Sequence, residues 1–284
     1  MNYRHAFHAG NVADCVKHAL LLVLLDALRR KPAPFAVLDT HAGIGAYDLS
    51  GSEATRTGEW RDGIGRLLDA PPDPVLVPFL DAVRAFGAPS RYPGSPSLIR
   101  AMLRPQDRLS CCELHPDDAA TLRRTLRGDP RVSVHHRDGY EAVRALLPPA
   151  DNIRRGLVLL DPPFERDDEW DRLRVAMLSA RRRFNTAIVA AWYPIKSRAP
   201  SRAFLDALAD AAPPDLVSAE LLLRPPTDPA RLNGAGLAVI AAPWGFAEEA
   251  AAILRALAER SAGASVCPSD IARAAAEDWR PLME

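Results

Sequence analysis

The sequence predicts an α/β fold with a Rossmann-like sheet, helices on both faces of the sheet and a small helical insertion. Short apolar strands alternate with helical stretches along most of the 284 residues. The first strand runs into a glycine-containing loop at 41–45, as in the first βα turn of nucleotide-binding sheets. Strand ends carry acidic side chains at Asp39, Glu113, Asp138 and Asp161. Because ligands bind outside the carboxyl ends of parallel strands, we expect these four side chains to converge.

The first half of the chain contains the insertion. A helix is predicted over 12–30 from apolar positions three and four residues apart, followed by a strand over 35–40. The next strand, 108–114, ends in Glu113, which lies 68 residues after Gly45. A compact dinucleotide fold has only about 20 residues there. We therefore expect one domain over 1–284 with a helical insertion at about 47–95, including helical stretches near 58–69 and 75–87.

The second half continues the alternation of helices and strands. The predicted elements are a helix over 116–127, a strand over 132–139, a short helix over 141–147, a strand over 156–160, a helix over 168–183, a strand over 186–193, a helix over 201–212, strands over 218–223 and 236–242 that can pair as an edge hairpin, and a helix over 246–260.

Composition restricts the possible classes of protein. Lys and Arg total 36, as do Asp and Glu, so the net charge of zero gives no support for a general nucleic-acid binder. No apolar stretch approaches the ~20 residues of a membrane span, and the first residues do not resemble a signal peptide. The four cysteines lack a C-x-x-C pair, and His5-x-x-His8 lacks a third ligand. We expect a cytoplasmic monomer without a metal site.

The segment Asp161-Pro162-Pro163-Phe164 follows the strand at 156–160. The Asp161 carboxylate can accept a hydrogen bond from an exocyclic amine. Pro162 has no N–H, and its carbonyl offers a second acceptor. Phe164 offers a flat face on which an extruded base can stack. Taken in isolation, the same residues are equally typical of a strand that ends in a proline-stiffened turn.

Several segments together resemble the RlmJ family of methyltransferases, which act on N6 of an adenine in 23S ribosomal RNA. The resemblance runs from residue 3 to about 245, and its N-terminal part is the most family-specific. A D-P-P-F segment alone is shared by many amino-methyltransferases. The segments that carry the resemblance are 3–11, Lys17-His18, 38–43, 92–96, 113–116 and 161–164.

The resemblance implies a class I S-adenosylmethionine-dependent methyltransferase sheet, S-adenosyl-L-methionine as cofactor and 23S ribosomal RNA as partner. It implies that Asp161 is the catalytic residue and that Tyr3 lies near the target base. Phe164 stands where the better-known member has tyrosine, which keeps the stacking face but loses the hydroxyl. The cofactor-binding positions implied are His18, His41, Ser95, Glu113, Asp138 with Gly139, and Asp161.

Two of these roles also follow from the positions of the residues. Glu113 ends a strand, where a carboxylate can accept the two ribose hydroxyls of a cofactor; the alternative is an exposed charge. Asp138 precedes Gly139 and can accept a hydrogen bond from the adenine amino group of the cofactor. The alternative for Asp138 is an ordinary Asp-Gly turn.

Other functions remain open at this stage. A DNA adenine-N6-methyltransferase shares the four-residue motif, and a catalytically silent RNA-binding protein can share the fold. A nicotinamide-dependent dehydrogenase is disfavoured because position 48 is Asp instead of the third glycine of the fingerprint. Candidate RNA-phosphate contacts are the arginines at 154–155 and 181–183, with Arg56, Arg61 and Arg66 in the insertion; the alternative for each is a solvated helix face.

Overall fold

A computed structural model describes residues 5–211 and 213–261, together with the backbone of 271–274. The strands are β1 Ala36–Asp39, β2 Ala46–Asp48, β3 Arg91–Pro93, β4 Arg108–Glu113, β5 Val132–His136, β6 Gly156–Leu160, β7 Ala187–Ile195, β8 Leu216–Leu222, β9 Gly234–Ile240 and β10 Ile271–Ala274. The helices are α1 Val12–Arg29, α2 Ser52–Thr57, α3 Arg66–Asp69, α4 Val77–Phe86, α5 Ser95–Met102, α6 Pro116–Thr125, α7 Gly139–Ala145, α8 Glu169–Arg183, α9 Arg198–Ala209 and α10 Phe246–Arg260.

Eight of the strands form one mixed sheet in the order β10-β8-β9-β7-β6-β1-β4-β5. The strands β5, β4, β1, β6 and β7 are parallel neighbours, whereas β9, β8 and β10 are antiparallel. The predicted α/β Rossmann-like fold is therefore confirmed. The two predicted hairpin strands pair as β8 and β9, but β10 covers the outer side of β8, so an edge position for both strands was wrong.

The core lies on both faces of the sheet because the strand side chains alternate between them. In β6, Leu157 and Leu159 face one apolar cluster, which includes α1 and α10. Val158 and Leu160 face a second cluster, which includes α8 and α9. Since both faces of β6 are covered, the strand is apolar at every position, as is typical of parallel sheets.

The segment between β1 and β4 contains a two-stranded ribbon, which is followed by the helix α5. β2 pairs with β3, with Tyr47 opposite Tyr92, and both rings are buried. Between the two strands lie α2, a π-helical turn over Arg61–Gly65, α3 and α4. The predicted helical character agrees with this arrangement, but the ribbon and the following helix α5 were not predicted.

Two strand and helix boundaries differ from the prediction near the candidate site. β5 ends at His136, so Asp138 lies beyond the strand and is the N-cap of α7. α9 begins at Arg198 and ends at Ala209, three residues before the predicted range at each end.

Two further observations concern composition. Cys15, Cys111 and Cys112 are buried and free, and Cys267 lies outside the described residues. None of the helices in the described ranges combines the length and apolar character that crossing a membrane requires.

Candidate active site

A cleft of about 960 Å³ opens at the carboxyl ends of the parallel strands. Its wall includes most of the predicted site residues: His18, His41, Ser95, Glu113, Asp161, Pro162 and Phe164. Asp138 and Gly139 are not part of the wall, and Tyr3 lies outside the described residues. The structure thus brings together side chains from α1, α5, β4 and the loops that follow β1 and β6.

The loop after β1 is held close to the sheet. Thr40 Oγ1 donates to the Leu159 carbonyl at 2.9 Å and lies 2.7 Å from His41 Nδ1. Because a hydroxyl has one proton to donate, Nδ1 of His41 is the donor in the second contact, which leaves Nε2 as an acceptor. Burial lowers the pKa of His41 to about 4, so this imidazole is neutral near pH 7.

Glu113 connects the glycine loop to the next strand. Its carboxylate accepts the Gly43 N–H at 2.9 Å and the His115 N–H at 2.8 Å. Gly43 has φ +61°, and a Cβ there would lie 2.4 Å from the Tyr47 hydroxyl. Burial raises the pKa of Glu113. The carboxylate therefore orients the loop backbone, and each oxygen retains a lone pair for a ligand hydroxyl.

His18 lies on α1 and is almost fully buried. Its Nδ1 contacts the Tyr92 hydroxyl at 2.8 Å, whereas Nε2 is buried and has no hydrogen-bond partner among the described residues. Burial lowers the pKa of His18 to about 3. A buried polar atom without a partner costs free energy, so Nε2 has a hydrogen bond to offer a polar ligand in the cleft.

Ser95 begins α5 and donates to Asp39 Oδ2 at 2.7 Å. Asp39 is completely buried at the end of β1. Burial raises the pKa of Asp39 to about 7. The pair joins α5 to β1 and fixes the Ser95 end of the cleft.

Asp138 has a structural partner for each of its oxygens. Oδ1 accepts the Tyr140 N–H at 2.7 Å as the cap of α7, and Oδ2 accepts from Arg172 at 3.3 Å. At Gly139, an added Cβ would lie 2.2 Å from the Thr40 carbonyl oxygen. Asp138 and Gly139 thus support the loop that carries His41, and their predicted contact with a cofactor stays a prediction.

Asp161 is held by a buried network that begins at the N-terminus of α1. Lys17 Nζ lies 2.7 Å from Asp161 Oδ2 and 2.9 Å from Asp14 Oδ1. Asp14 Oδ2 in turn lies 2.8 Å from His5 Nε2. Burial by itself lowers the pKa of Lys17, but the Asp14 and Asp161 carboxylates together raise it well above its usual value. Lys17 is therefore a permanent cation beside Asp161.

No role was predicted for Lys17 from the sequence. The available signal was local: Asp14 and Lys17 are opposite charges three residues apart in a helix that is otherwise apolar on several sides. Charged residues are rarely buried unless they are paired, so the spacing indicated a buried pair. Its third member, Asp161, lies 144 residues away and has no local signature.

Pro162 and Phe164 complete the floor of the cleft. Within the described residues, no hydrogen bond reaches the Pro162 carbonyl oxygen. Phe164 has φ +50°, a left-handed conformation that costs a non-glycine residue about 1–3 kcal/mol. Its half-buried ring meets Trp170 edge-on at 4.8 Å and Trp192 at 6.2 Å between centroids. The aromatic neighbours hold this strained residue at the cleft.

Most of the predicted RNA-phosphate arginines lie elsewhere. The arginines at 154–155 and 181–183 precede β6 and β7. They therefore lie at the amino ends of these strands, at the opposite end of the sheet from the cleft. Arg155, for example, donates to the Ala33 carbonyl at 3.0 Å. Arg56 and Arg61 lie over the rings of Phe7 and Trp60. Of the predicted group only Arg66 lines the cleft, where it pairs with Asp62 at 3.0 Å.

The histidine pair near the N-terminus has other partners. His5 contacts Asp14, and His8 contacts Glu59 at 3.0 Å. In the described part of the chain, no group of three His, Cys, Asp or Glu side chains is arranged to hold a metal ion.

Comparison with known proteins gives a consistent set of relatives. Residues 32–267 match the family described as ribosomal RNA large subunit methyltransferase D, RlmJ. The chain is 39% identical over 249 residues to ribosomal RNA large subunit methyltransferase J of Haemophilus influenzae, which covers 86% of this chain and 88% of that protein. It is 37% identical over 248 residues to the protein of that name from Escherichia coli K12, with the same coverage.

A solved structure has the same fold. The crystal structure of a protein from Legionella pneumophila strain Philadelphia 1 superposes with a TM-score of 0.82 and 32% sequence identity. The match covers 91% of this chain and 96% of the Legionella protein. This chain therefore shares its overall fold with a protein whose structure has been solved by crystallography.

Proposed function

The chain belongs to the family of ribosomal RNA large subunit methyltransferase D, RlmJ, and on that premise we propose that it transfers a methyl group from S-adenosyl-L-methionine to N6 of an adenine in 23S ribosomal RNA. The observation that carries the proposal is the position of Asp161-Pro162-Pro163-Phe164. These residues lie at the carboxyl end of β6, inside the cleft, with Asp161 paired to a buried lysine. DNA as substrate and a catalytically silent RNA-binding protein are the outcomes that the experiment below distinguishes.

The residues of the cleft fit S-adenosyl-L-methionine. Nε2 of His18 is a buried polar atom without a partner, and the Glu113 carboxylate lies where a ribose is bound in Rossmann-like sheets. His41, Ser95 and the backbone near Gly43 complete the proposed set of cofactor contacts. A cleft of 960 Å³ lies near the upper end of the range for ligand pockets, about 300–1,000 Å³, and has room for a base beside the cofactor. When bound, the cofactor supplies an electrophilic methyl group on a positively charged sulfur.

Asp161 and Pro162 act on the amino group of the adenine. The lone pair of that nitrogen is delocalised into the ring, which makes it a weak nucleophile. Hydrogen bonds from the amino hydrogens to the Asp161 carboxylate and the Pro162 carbonyl favour a pyramidal nitrogen that points its lone pair out of the ring plane. Once methylated, the nitrogen carries a positive charge, and Asp161 accepts one of its protons.

Lys17 orients Asp161 for this role. Lys17 Nζ donates a hydrogen bond to Asp161 Oδ2 at 2.7 Å, which fixes the direction of the carboxylate. Asp14 also pairs with Lys17, at 2.9 Å, so the buried ammonium group has two carboxylate partners in place of solvent. The network therefore supplies an oriented proton acceptor at the wall of the cleft.

Phe164 provides the surface for the extruded base. Its ring lines the cleft directly after the Asp161 and Pro162 acceptors. Stacking holds the base while the two acceptors fix its amino edge, which converts the transfer into a reaction between positioned groups.

The experiment that tests the proposal is incubation with tritiated S-adenosyl-L-methionine and, separately, 23S ribosomal RNA and duplex DNA, followed by nucleoside mass spectrometry. We expect N6-methyladenosine in the RNA. Methylation of the duplex alone would identify a DNA enzyme, and labelling of neither substrate would favour the catalytically silent RNA-binding protein.

A further inference from the structure

We propose that Lys196, Arg224 and Arg231 form a basic rim that binds the RNA phosphates on either side of the target adenosine. All three residues line the cleft, on the same side as Trp192 and Pro194. The inference rests on the proposed function, because it concerns how the same cleft holds its RNA strand.

Strand pairing brings the three residues together from separate parts of the chain. Lys196 follows the last residue of β7, Arg224 lies two residues after β8, and Arg231 lies three residues before β9. Gly234, the first residue of β9, pairs with both Ile195 of β7 and Leu222 of β8. The ends of three strands therefore meet at this point of the cleft.

A fully buried asparagine fixes the segments that carry these cations. Asn233 Nδ2 donates to the Lys196 carbonyl and to the Asp228 carbonyl, each at 2.7 Å. The Asn233 carbonyl accepts the Leu223 N–H at 2.7 Å and the Arg224 N–H at 3.3 Å. Because one residue ties all three backbone segments, the positions from which the three cations extend are fixed relative to one another.

The rim differs in charge from the opposite wall of the cleft. There, Arg66 pairs with Asp62 and Lys17 pairs with Asp14 and Asp161. Within the described residues, no carboxylate pairs with Lys196, Arg224 or Arg231. Arg224 donates to the Leu232 carbonyl at 2.8 Å. This acceptor is neutral, so it does not compensate the positive charge of the guanidinium group. The rim is thus the wall of the cleft whose positive charge no carboxylate in the described part of the chain neutralises.

The place of the basic rim at the mouth of the cleft fits the phosphates of an RNA strand. An extruded nucleotide rotates about its backbone, so its base enters the pocket while its flanking phosphates stay at the mouth. Lys196 and Arg231 are exposed there, next to the wall that carries the base-stacking ring. The Asp228 carboxylate, in the same loop as Arg231, accepts a hydrogen bond from the Ala230 N–H at 3.0 Å, which holds it within its own loop. Since the protein has no net charge, contacts of this kind must supply the attraction locally.

The test compares the double variant Lys196→Ala/Arg231→Ala with the wild type. Arg224 is left in place because its guanidinium also braces the loop. We expect the KM for 23S ribosomal RNA to rise about tenfold, with little change in kcat or in the Kd for S-adenosyl-L-methionine, because phosphate contacts position the strand without taking part in the reaction. The log–log salt dependence of RNA binding should become shallower by about 1.4, which corresponds to two lost phosphate contacts on a single strand.

The matched control removes the same charge elsewhere. Arg202 on α9 and Arg255 on α10 are exposed and lie outside the cleft, so Arg202→Ala/Arg255→Ala should keep the wild-type KM and salt slope. RNA binding is measured by fluorescence anisotropy with a labelled 23S fragment, independently of methyl transfer. An unchanged affinity and slope in the rim variant, or an equal loss in the control, would overturn the basic rim. A selective loss of RNA affinity without any methyl transfer by the wild type would overturn the proposed function and leave the rim standing.

Discussion

At the scale of single residues, the site depends on a lysine that is buried among carboxylates. Lys17 has 5% of its side chain exposed, Asp14 has 3% and Asp161 has 15%. Removing one member of such a group leaves an uncompensated charge in a region of low dielectric constant. The same three residues therefore serve both the stability of the fold and the orientation of the proposed catalytic carboxylate.

Replacing Lys17 with methionine tests its contribution to stability. We expect Lys17→Met to lower the free energy of unfolding by about 3 kcal/mol, because two carboxylates lose their buried partner. Urea unfolding measures this, with Lys31→Met as the control, since Lys31 is exposed at the end of α1. Equal stability of the two variants would show that the buried pairing contributes nothing.

His18 predicts a specific dependence of stability on pH. Its folded pKa of about 3 lies below the usual histidine value of 6.5, so the unfolded chain takes up the proton first. The contribution of His18 is present above pH 6.5 and is lost as the pH falls through 6.5 towards 3. Between pH 7 and pH 5 this amounts to about 2 kcal/mol, at about 1.4 kcal/mol per pH unit.

The variant His18→Gln removes this titration. Urea unfolding at pH 7 and pH 5 should show a fall in the free energy of unfolding that is about 2 kcal/mol smaller in the variant than in the wild type. An identical fall in both proteins would mean that His18 does not stay neutral in the folded state.

At the scale of elements, the sequence predicted the strands that are buried on both faces. β6 is a continuous apolar run, and the position of Asp161 at its carboxyl end followed directly from that run. β2 and β3 were not predicted, because a strand of three residues shows no periodicity. The helix α5 was missed because Ser95-Pro96 resembled the end of a loop, although Pro is favourable in the first turn of a helix.

Gly139, the first residue of α7, packs closely against the loop that follows β1. Gly139→Ala would place a Cβ 2.2 Å from the Thr40 carbonyl oxygen and 2.9 Å from His41 Cε1. We expect a loss of stability of about 1–3 kcal/mol from this overpacking, together with weaker binding of S-adenosyl-L-methionine.

Calorimetry with S-adenosyl-L-methionine checks the effect on the cofactor site. The control is Gly128→Ala, because a Cβ at Gly128 meets no atom within 4 Å, even though its φ of +82° strains the backbone. Wild-type cofactor affinity in Gly139→Ala would show that the loop does not depend on this close approach.

At the scale of the whole molecule, the site is assembled from distant parts of the chain. Most of the predicted site residues line the cleft. Glu113 and Asp161 were expected there because strand ends in a parallel sheet share one edge, whereas His18 and Ser95, which lie on helices, were implied by the family resemblance. The Lys17–Asp161 pair and the basic rim were not predicted, because these contacts depend on how α1 crosses the sheet and how β7 pairs with β9.

The arginines at 154–155 and 181–183 were predicted to contact RNA phosphates, but they lie away from the cleft. They precede β6 and β7 and so lie at the amino ends of these strands, whereas the cleft lies at the carboxyl ends.

The most direct test of the central claim is the rate of methyl transfer to 23S ribosomal RNA by Asp161→Asn, with cofactor and RNA at saturating concentrations. Asparagine keeps the shape of the side chain and one acceptor oxygen, but it has no charge and cannot take up the proton. Asp167→Asn is the matched control, because Asp167 is exposed and lies outside the cleft. We predict that Asp161→Asn stays folded and transfers methyl groups at least about 100-fold more slowly than the control. Transfer by Asp161→Asn at the rate of the control would contradict the proposed role of Asp161.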